Sequence, residues 1–130
     1  MSDTITLRVP ATLTAISTVR LVLGGLGARL DLSLDQLQDI YLAMEELLRA
    51  AIDFEAPERL SVEVAVARDD LRITAGEFVS AQLREDVACH AEDRLDLCML
   101  LHNTVDDVLI EDVPGAYRIV LVKRLRGAAS

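Results

Sequence analysis

The chain has 130 residues, 52% of them hydrophobic, which suits a single domain with one substantial core. Its formal net charge of −9 argues against direct nucleic-acid binding, because phosphate contacts require clustered lysines and arginines. It contains no apolar run long enough to span a membrane and no basic-then-apolar leader, so we expect a cytoplasmic protein that contacts no membrane.

The first elements are a strand and a helix. Apolar and polar residues alternate over Thr4–Val9, which predicts a half-buried strand, and leucines, isoleucine and valines at helical spacing predict a helix over 13–30. That helix contains three glycines, Gly24, Gly25 and Gly27. Each costs about 1 kcal/mol in a helix, so we expect fraying or close packing there. Ser33 and Gln36 then form a capping box that starts the next helix.

The second helix, about Leu34–Asp53, is the clearest element of the chain. One apolar stripe runs along it, formed by Leu37, Tyr41, Met44, Leu48 and Ala51. At about 100° per residue, Glu46 lies opposite that stripe. The small residues Ala43 and Ala50 share the Glu46 face, and we expect that face to close over rather than to open into a pocket.

The second half of the chain alternates strands with one further helix. The elements predicted there are, in chain order, strands over 60–67 and 71–75, an irregular polar segment over 78–93, a helix over 94–103 and strands over 105–111 and 117–125. The first two strands form a hairpin, and the helix is apolar nearly all round, so it is expected to be buried. The order βααββαββ forms one domain over residues 1–126, with a tail over 127–130.

Four stretches resemble the anti-sigma factor/serine-protein kinase group of the histidine-kinase-like (GHKL, Bergerat-fold) ATPases. They are Leu7–Ala11 leading to Val19–Leu21, Asp39–Glu46, Arg94–Leu101 followed by Val105–Val108, and Gly115–Leu125. The resemblance implies an α/β (α+β) fold, a two-layer α/β sandwich. Its sheet would be mixed but mainly antiparallel, with the helices on one face.

The nucleotide motifs of that family are altered in this chain. The family's N-box is Glu-x-x-x-Asn, in which the Glu polarises the attacking group and the Asn holds Mg²⁺. Glu46 matches the Glu, but Ala50 stands at the Asn position. The family's Asp-x-Gly-x-Gly box, whose Asp binds adenine, corresponds to residues 75–79, with Glu77 near the Asp position and both glycines missing.

The remaining phosphate-binding positions are altered as well. Arg94 and Asp96 replace the glycines that follow the family's ATP lid, and the Gly-Thr of its last strand is Gly115-Ala116. Glu77, Arg94, Asp96 and Gly115 are therefore expected to line a vestigial ATP site. Acidic residues repel the triphosphate where no Mg²⁺ ligand is present, so we expect neither ATP nor Mg²⁺ as a cofactor. The alternative is an active ATP-dependent serine kinase with Glu46 as its base.

The resemblance implies a function through protein partners. Such a protein sequesters an alternative sigma factor and releases it when an anti-anti-sigma protein of the STAS type competes. Arg20 matches an arginine on the family's first helix that faces these partners, although an exposed arginine on an amphipathic helix is the plainer interpretation. The family pairs through its N-terminal elements, so Leu21, Leu23 and Leu26 form either core or a homodimer seam. A third hypothesis is a small-molecule site in the vacated pocket, which a polar cavity beside the second helix would favour.

The cysteines and histidines are candidate metal ligands. Cys98 and His102 are four residues apart on a predicted helix, and Cys89 and His90 precede them. The spacing Cys-His-x7-Cys-x3-His is not a common zinc pattern, and Cys98 sits in an apolar run, where cysteine behaves as a small hydrophobe. No metal is therefore expected, and two cysteines are too few for a disulfide framework.

Overall fold

Five strands and four helices make up the part of the chain described by this computed structural model, residues 3–89 and 95–125. The strands are β1 (Asp3–Pro10), β2 (Arg59–Ala67), β3 (Asp70–Phe78), β4 (Asp107–Val113) and β5 (Ala116–Arg124). The helices are α1 (Leu13–Arg29), α2 (Leu34–Glu55), α3 (Ala81–Val87) and α4 (Leu95–Thr104). None of these helices has the length and apolar character needed to cross a membrane.

The strands form one sheet in the order β1-β2-β3-β5-β4, and every neighbouring pair is antiparallel. The expectation of a mixed sheet is therefore wrong. The reason lies in the connection from β1 to β2. The α1–α2 hairpin leaves the sheet at the end of β1 and returns the chain to the same end, where β2 begins. The hydrogen bond from Ala11 N to Glu58 O, at 3.1 Å, joins the two ends of this connection. A return to the same end of the sheet forces the antiparallel pairing.

All four helices belong to one layer, so the molecule is the two-layer α/β sandwich that the resemblance implied. The sheet contributes alternate residues to the core, as a sheet with one covered face must. These buried residues are Val9, Leu60, Val62, Val64, Leu71, Ile73, Ala75, Phe78, Tyr117, Ile119 and Leu121. Helix α2 lies at the centre of the helical layer and buries Ile40, Met44, Leu47, Leu48 and Ala51.

The glycines of α1 allow close packing against α2. A Cβ atom on Gly24 would lie 2.6 Å from the Tyr41 hydroxyl, and one on Gly27 would lie 2.9 Å from a Leu37 methyl group. Helix α1 continues through both positions, so of the two outcomes expected from these glycines the structure shows close packing. The predicted capping box is formed: Gln36 N donates to Ser33 Oγ and Ser33 N donates to Gln36 Oε1, each at 3.0 Å.

Part of the segment expected to be irregular is ordered as α3, which makes the element order βααββααββ. Ser80 caps this helix, since its Oγ accepts a hydrogen bond from Leu83 N at 3.1 Å. The side chains of Leu83 and Val87 are buried, so one side of the helix faces the core. Strand β3 also extends to Phe78, beyond its predicted end. Seven helical residues span about two turns, too few for a hydrophobic period to be recognised in the sequence.

Helix α4 is less buried than its composition predicts. Leu101 is fully buried, but the side chain of Met99 is 54% exposed. The helix lies at the margin of the helical layer, where it packs on α2, α3 and β4 and leaves its remaining side uncovered. The expectation of a wholly buried helix is therefore wrong, because an apolar sequence does not by itself supply neighbours on every side.

Candidate functional site

Arg20 lies at the centre of an exposed surface formed by α1 and α2. Its Nη1 donates to Glu45 Oε2 at 2.7 Å, and its guanidinium carbon lies 4.4 Å from the centre of the Tyr41 ring. The Arg20 side chain is nevertheless 51% exposed. The ion pair and the cation–π contact therefore fix the direction of a cation that still faces solvent. We call Arg20, Leu21, Tyr41, Leu42 and Glu45 the α1–α2 surface.

The spacing of residues on the two helices explains this arrangement. Tyr41 and Glu45 are one turn apart on α2, so both reach the same point on α1. Gly24 is one turn after Arg20 on α1, and its missing side chain leaves the space that the Tyr41 hydroxyl occupies. The arginine, the glycine and the tyrosine therefore depend on one another for their positions.

Apolar side chains flank this fixed cation. Leu21 is 76% exposed and Leu42 is 44% exposed. Leu23 and Leu26, which the sequence left open between core and a dimer seam, are buried in the core. Two grooves of about 530 and 270 Å³ lie on either side of Arg20. Arginine and tyrosine are residue types enriched at the energetic centre of protein–protein interfaces.

A separate cavity of about 320 Å³ lies where α2 meets α3 and α4. Its lining comprises Glu46, Arg49, Ala50, Asp53 and Phe54 of α2, Asp86 of α3, and Leu97 and Leu100 of α4. The expectation that the Glu46 face closes over is therefore wrong at Ala50. Ala43, two turns earlier, is fully buried, whereas the small side chain of Ala50 leaves space between α2 and α4.

This cavity is anionic. Among the described residues that line it, the carboxyl groups of Glu46, Asp53 and Asp86 outnumber the guanidinium of Arg49, which lies 3.9 Å from Glu46 Oε2. Asp86 is only 3% exposed and accepts a hydrogen bond from Gln82 Nε2 at 3.0 Å. Carboxylates in a partly dehydrated site repel a triphosphate strongly. Ala50 offers no oxygen to a magnesium ion that would offset this repulsion.

The other residues expected in a vestigial ATP site are not brought together with Glu46. Glu77 lies against the open face of the sheet, where its carboxylate accepts from Arg118 Nη2 at 3.2 Å. Gly115 lies in the turn between β4 and β5 with a φ of +76°, and a Cβ there would meet open space. Arg94 and the side chain of Asp96 lie outside the residues described.

Glu55 fixes the start of α3, a role that the sequence did not indicate. Its Oε2 accepts from the backbone N–H groups of Val79, at 2.6 Å, and Ser80. Tyr117 Oη donates to Ser80 O at 2.5 Å. Burial, together with the nearby charge of Glu55, raises the pKa of Tyr117 to about 12. Because α3 carries Asp86, these contacts also position one wall of the anionic cavity.

No local sequence signal could have identified Glu55. It lies 25 positions before Ser80, and only the packing of α2 against the end of β3 brings the two together. Asp86 was missed for a related reason, because it lies in a segment with no recognisable period. Arg20 and Glu46, in contrast, were identified from the family resemblance, and Glu46 also from its place opposite the apolar stripe of the second helix.

No protein-family model and no curated protein matches this chain. Among solved structures, the crystal structure of the RsbU and RsbW domains of Rv1364c from Mycobacterium tuberculosis matches with a TM-score of 0.66 and 19% sequence identity. The match covers 95% of this chain and 32% of that one, so this chain spans about a third of the length of the matched protein. At this identity, what the two proteins share is the fold, and the predicted two-layer α/β sandwich is confirmed.

Proposed function

We propose that this chain is a partner-switching regulator that binds and sequesters an alternative sigma factor without using ATP. Release would follow when an anti-anti-sigma protein of the STAS type competes for the chain. The proposal combines the family resemblance of the sequence with the fold shared with a structure that contains an RsbW domain. A homodimer formed through the N-terminal elements stays a prediction.

The single observation that carries the proposal is the fixed orientation of Arg20. Glu45 and Tyr41 hold the guanidinium before any partner arrives, so binding costs less side-chain entropy than it would for a free arginine. An arginine held over a tyrosine ring and flanked by exposed leucines suits a protein partner with acidic and apolar groups. This surface lies on the outer side of α1 and α2 and uses no residue of the anionic cavity.

The anionic cavity supports the nucleotide-independent part of the proposal. Three carboxyl groups and an alanine at the magnesium position disfavour Mg·ATP. The exchange of partners must then come from differential affinity for the two proteins. At matched concentrations, efficient exchange calls for a ratio of roughly 100-fold, which corresponds to about 2.7 kcal/mol.

The test is pairwise binding of the purified chain to the sigma factors and STAS-domain proteins of its source organism. Arg20→Glu is expected to raise the Kd of the bound partner at least tenfold. Arg72→Glu, the same charge change at an exposed position on the open face of the sheet, should leave the Kd within twofold. If no such protein binds, the proposed function is wrong. If a partner binds both variants equally well, the interface lies elsewhere.

The second candidate function is the ATP-dependent serine kinase, which one observation favours. Glu46 borders an open cavity rather than solvent alone, and Leu97 and Leu100 give that cavity an apolar wall. Calorimetric titration with Mg·ATP and Mg·ADP up to millimolar ligand separates the candidates. Micromolar binding, together with phosphorylation of a STAS protein that Glu46→Ala abolishes, would establish the kinase.

The same cavity bears on the third hypothesis, a small-molecule site. It combines charged side chains with an apolar wall, it lies beside the second helix, and its volume is at the lower end of the range for ligand pockets. A thermal-shift screen of charged and neutral metabolites would test this hypothesis without assuming a nucleotide.

A further inference from the structure

The two cysteines meet at the junction of α3 and α4. Cys89 is exposed and lies just past the end of α3, with a left-handed φ of +64°. Cys98 is buried on α4. Their α-carbons are 5.3 Å apart, within the range typical of disulfides, and their sulfur atoms are bonded. The bond links two short helices across a sequence separation of 9.

His102 adds a third potential ligand at the same place. It lies one turn after Cys98 on α4, so both side chains occupy one face of that helix. The sulfur atoms of Cys89 and Cys98 and a ring nitrogen of His102 all lie within 4.8 Å of one another. Cys89 comes from a different element, and only the docking of α3 against α4 brings it to the other two.

The sequence spacing did not predict a metal site, but from this geometry we propose that Cys89, Cys98 and His102 form a zinc-type metal site that is available only when the two cysteines are reduced. Two thiolates and an imidazole are a donor set that Zn²⁺ prefers. Zinc bonds of about 2.3 Å to sulfur and about 2.0 Å to nitrogen place tetrahedral donors roughly 3.5–3.8 Å apart. That separation lies inside the 4.8 Å span of the cluster. Three protein ligands leave a fourth position for water or another donor.

The disulfide and the metal compete for the same sulfur atoms. A small-molecule dithiol breaks the Sγ–Sγ bond by exchange. It gives two electrons and two protons to the cysteines and is itself oxidised to a disulfide. Zinc then binds the two sulfurs and displaces both thiol protons to solvent. A small-molecule disulfide takes two electrons back, re-forms the Sγ–Sγ bond and releases the ion.

The location gives this exchange a structural consequence. Cys89 lies three residues after Asp86, and Cys98 directly follows Leu97, so both ends of the junction adjoin walls of the anionic cavity. The proposed site therefore joins α3 and α4 at the edge of the cavity in either redox state, through the disulfide or through the metal.

The test is a Co²⁺ titration of the full chain in its two redox states. Reduced protein, freed of reductant under nitrogen, should bind one equivalent of Co²⁺. It should show thiolate-to-cobalt absorption in the near ultraviolet and the visible bands of tetrahedral Co²⁺, and one equivalent of Zn²⁺ should abolish both. Disulfide-bonded protein should show neither. Because this comparison needs no substitution, it does not depend on the folding of any variant.

Substitutions then assign the ligands. Cys89→Ser and His102→Ala change exposed side chains, and each should weaken Co²⁺ binding at least tenfold, while circular dichroism checks that the variants are folded. Asn103→Ala, at the exposed neighbouring position on α4, should bind as tightly as the wild type. The proposal is wrong if reduced protein shows no thiolate band. It is equally wrong if the band is as strong in the disulfide form, or if both ligand variants bind with unchanged affinity.

Discussion

The guanidinium of Arg20 rests on the ring of Tyr41, 4.4 Å from its centre, because Gly24 leaves room for the tyrosine hydroxyl. One missing side chain on α1 thus decides where a tyrosine of α2 lies, and the tyrosine in turn holds an arginine of α1. The three residues link helix packing directly to the surface proposed to bind a partner.

Gly24→Ala should separate the effect of Gly24 on the position of Arg20 from its effect on helix stability. The new Cβ would lie 2.6 Å from the Tyr41 hydroxyl, so the tyrosine must move and Arg20 loses its support. Proton NMR should show upfield ring-current shifts for the Arg20 side chain in the wild type and their loss in the variant. Binding of a partner through the α1–α2 surface should weaken by roughly tenfold, about 1.4 kcal/mol.

Gly25→Ala is the matched control, since nothing lies within 4 Å of the Cβ it would add. Alanine is the better helix former, so this variant should be more stable than the wild type by up to about 1 kcal/mol. The Arg20 ring-current shifts should stay. Loss of those shifts in Gly25→Ala as well would disprove the stated role of Gly24.

Glu55→Ala should destabilise the fold by about 1–3 kcal/mol, because it leaves the N–H groups of Val79 and Ser80 without their charged acceptor. Urea unfolding followed by circular dichroism measures the loss. Glu58→Ala, at an exposed position shortly after α2, should change stability by less than about 0.5 kcal/mol. Equal stability of the two variants would show that the Glu55 contacts contribute little.

The same substitution has a spectroscopic consequence. The charge of Glu55 contributes to the raised pKa of Tyr117, after the larger effect of burial. Ultraviolet titration of Glu55→Ala should therefore give a Tyr117 pKa below the wild-type value of about 12 but still above the ordinary tyrosine value. Tyr117→Phe identifies which of the two tyrosines gives the high transition. An unchanged Tyr117 pKa would mean that burial alone raises it.

Tyr117 should also make stability depend on alkaline pH. Its pKa is about 12 in the folded chain and about 10 when unfolded, so the folded state holds the phenol proton more tightly. The associated stabilisation is fully present below pH 10 and is lost as pH rises through 12. At pH 8, Tyr117→Phe should be less stable than the wild type by about 1 kcal/mol, from the lost bond to Ser80.

Urea unfolding at pH 8 and at pH 11 measures this dependence. The stability advantage of the wild type over Tyr117→Phe should narrow at the higher pH, because only the wild type has this phenol to ionise on unfolding. A constant difference between the two proteins would contradict the raised pKa.

Ala50→Asn tests whether the residue at the family's magnesium position decides, by itself, whether the chain binds nucleotide. The asparagine restores an oxygen at that position, but Asp53 and Asp86 still face the cavity. We therefore expect calorimetry to detect no Mg·ATP binding to either the wild type or the variant at millimolar ligand. Binding by the variant alone would identify Ala50 as the deciding change and would weaken the argument from cavity charge.

Local patterns in the sequence were sufficient for most of the fold. The alternation over Thr4–Val9, the capping box of Ser33 and Gln36, and the stripe through Met44 and Leu48 each depend on residues a few positions apart. Such residues are neighbours in any helix or strand, so their spacing predicts the element directly. The order of these elements, together with the family resemblance, was enough to predict the α/β sandwich.

The site was only partly predictable from the same patterns. Glu46 and Arg20 were identified from the family resemblance, and Glu46 also from its position on the second helix; the role of Ala50 at the family's magnesium position stays a prediction. Helix α3 and Asp86 could not be predicted from the sequence, because a seven-residue helix gives no recognisable hydrophobic period. The cavity beside Ala50 could not be predicted either, because its opening depends on how far α4 covers α2.

The sequence by itself determined most of the helices and strands and their order along the chain. Tertiary structure alone decided which distant side chains meet: Arg20 with Glu45, Glu55 with the start of α3, and Cys89 with Cys98 and His102. The physical reason is the range of the interactions. Hydrogen bonds and apolar periods within an element act between near neighbours along the chain. Contacts between elements depend on interhelical distance and on the space left by residues such as Gly24.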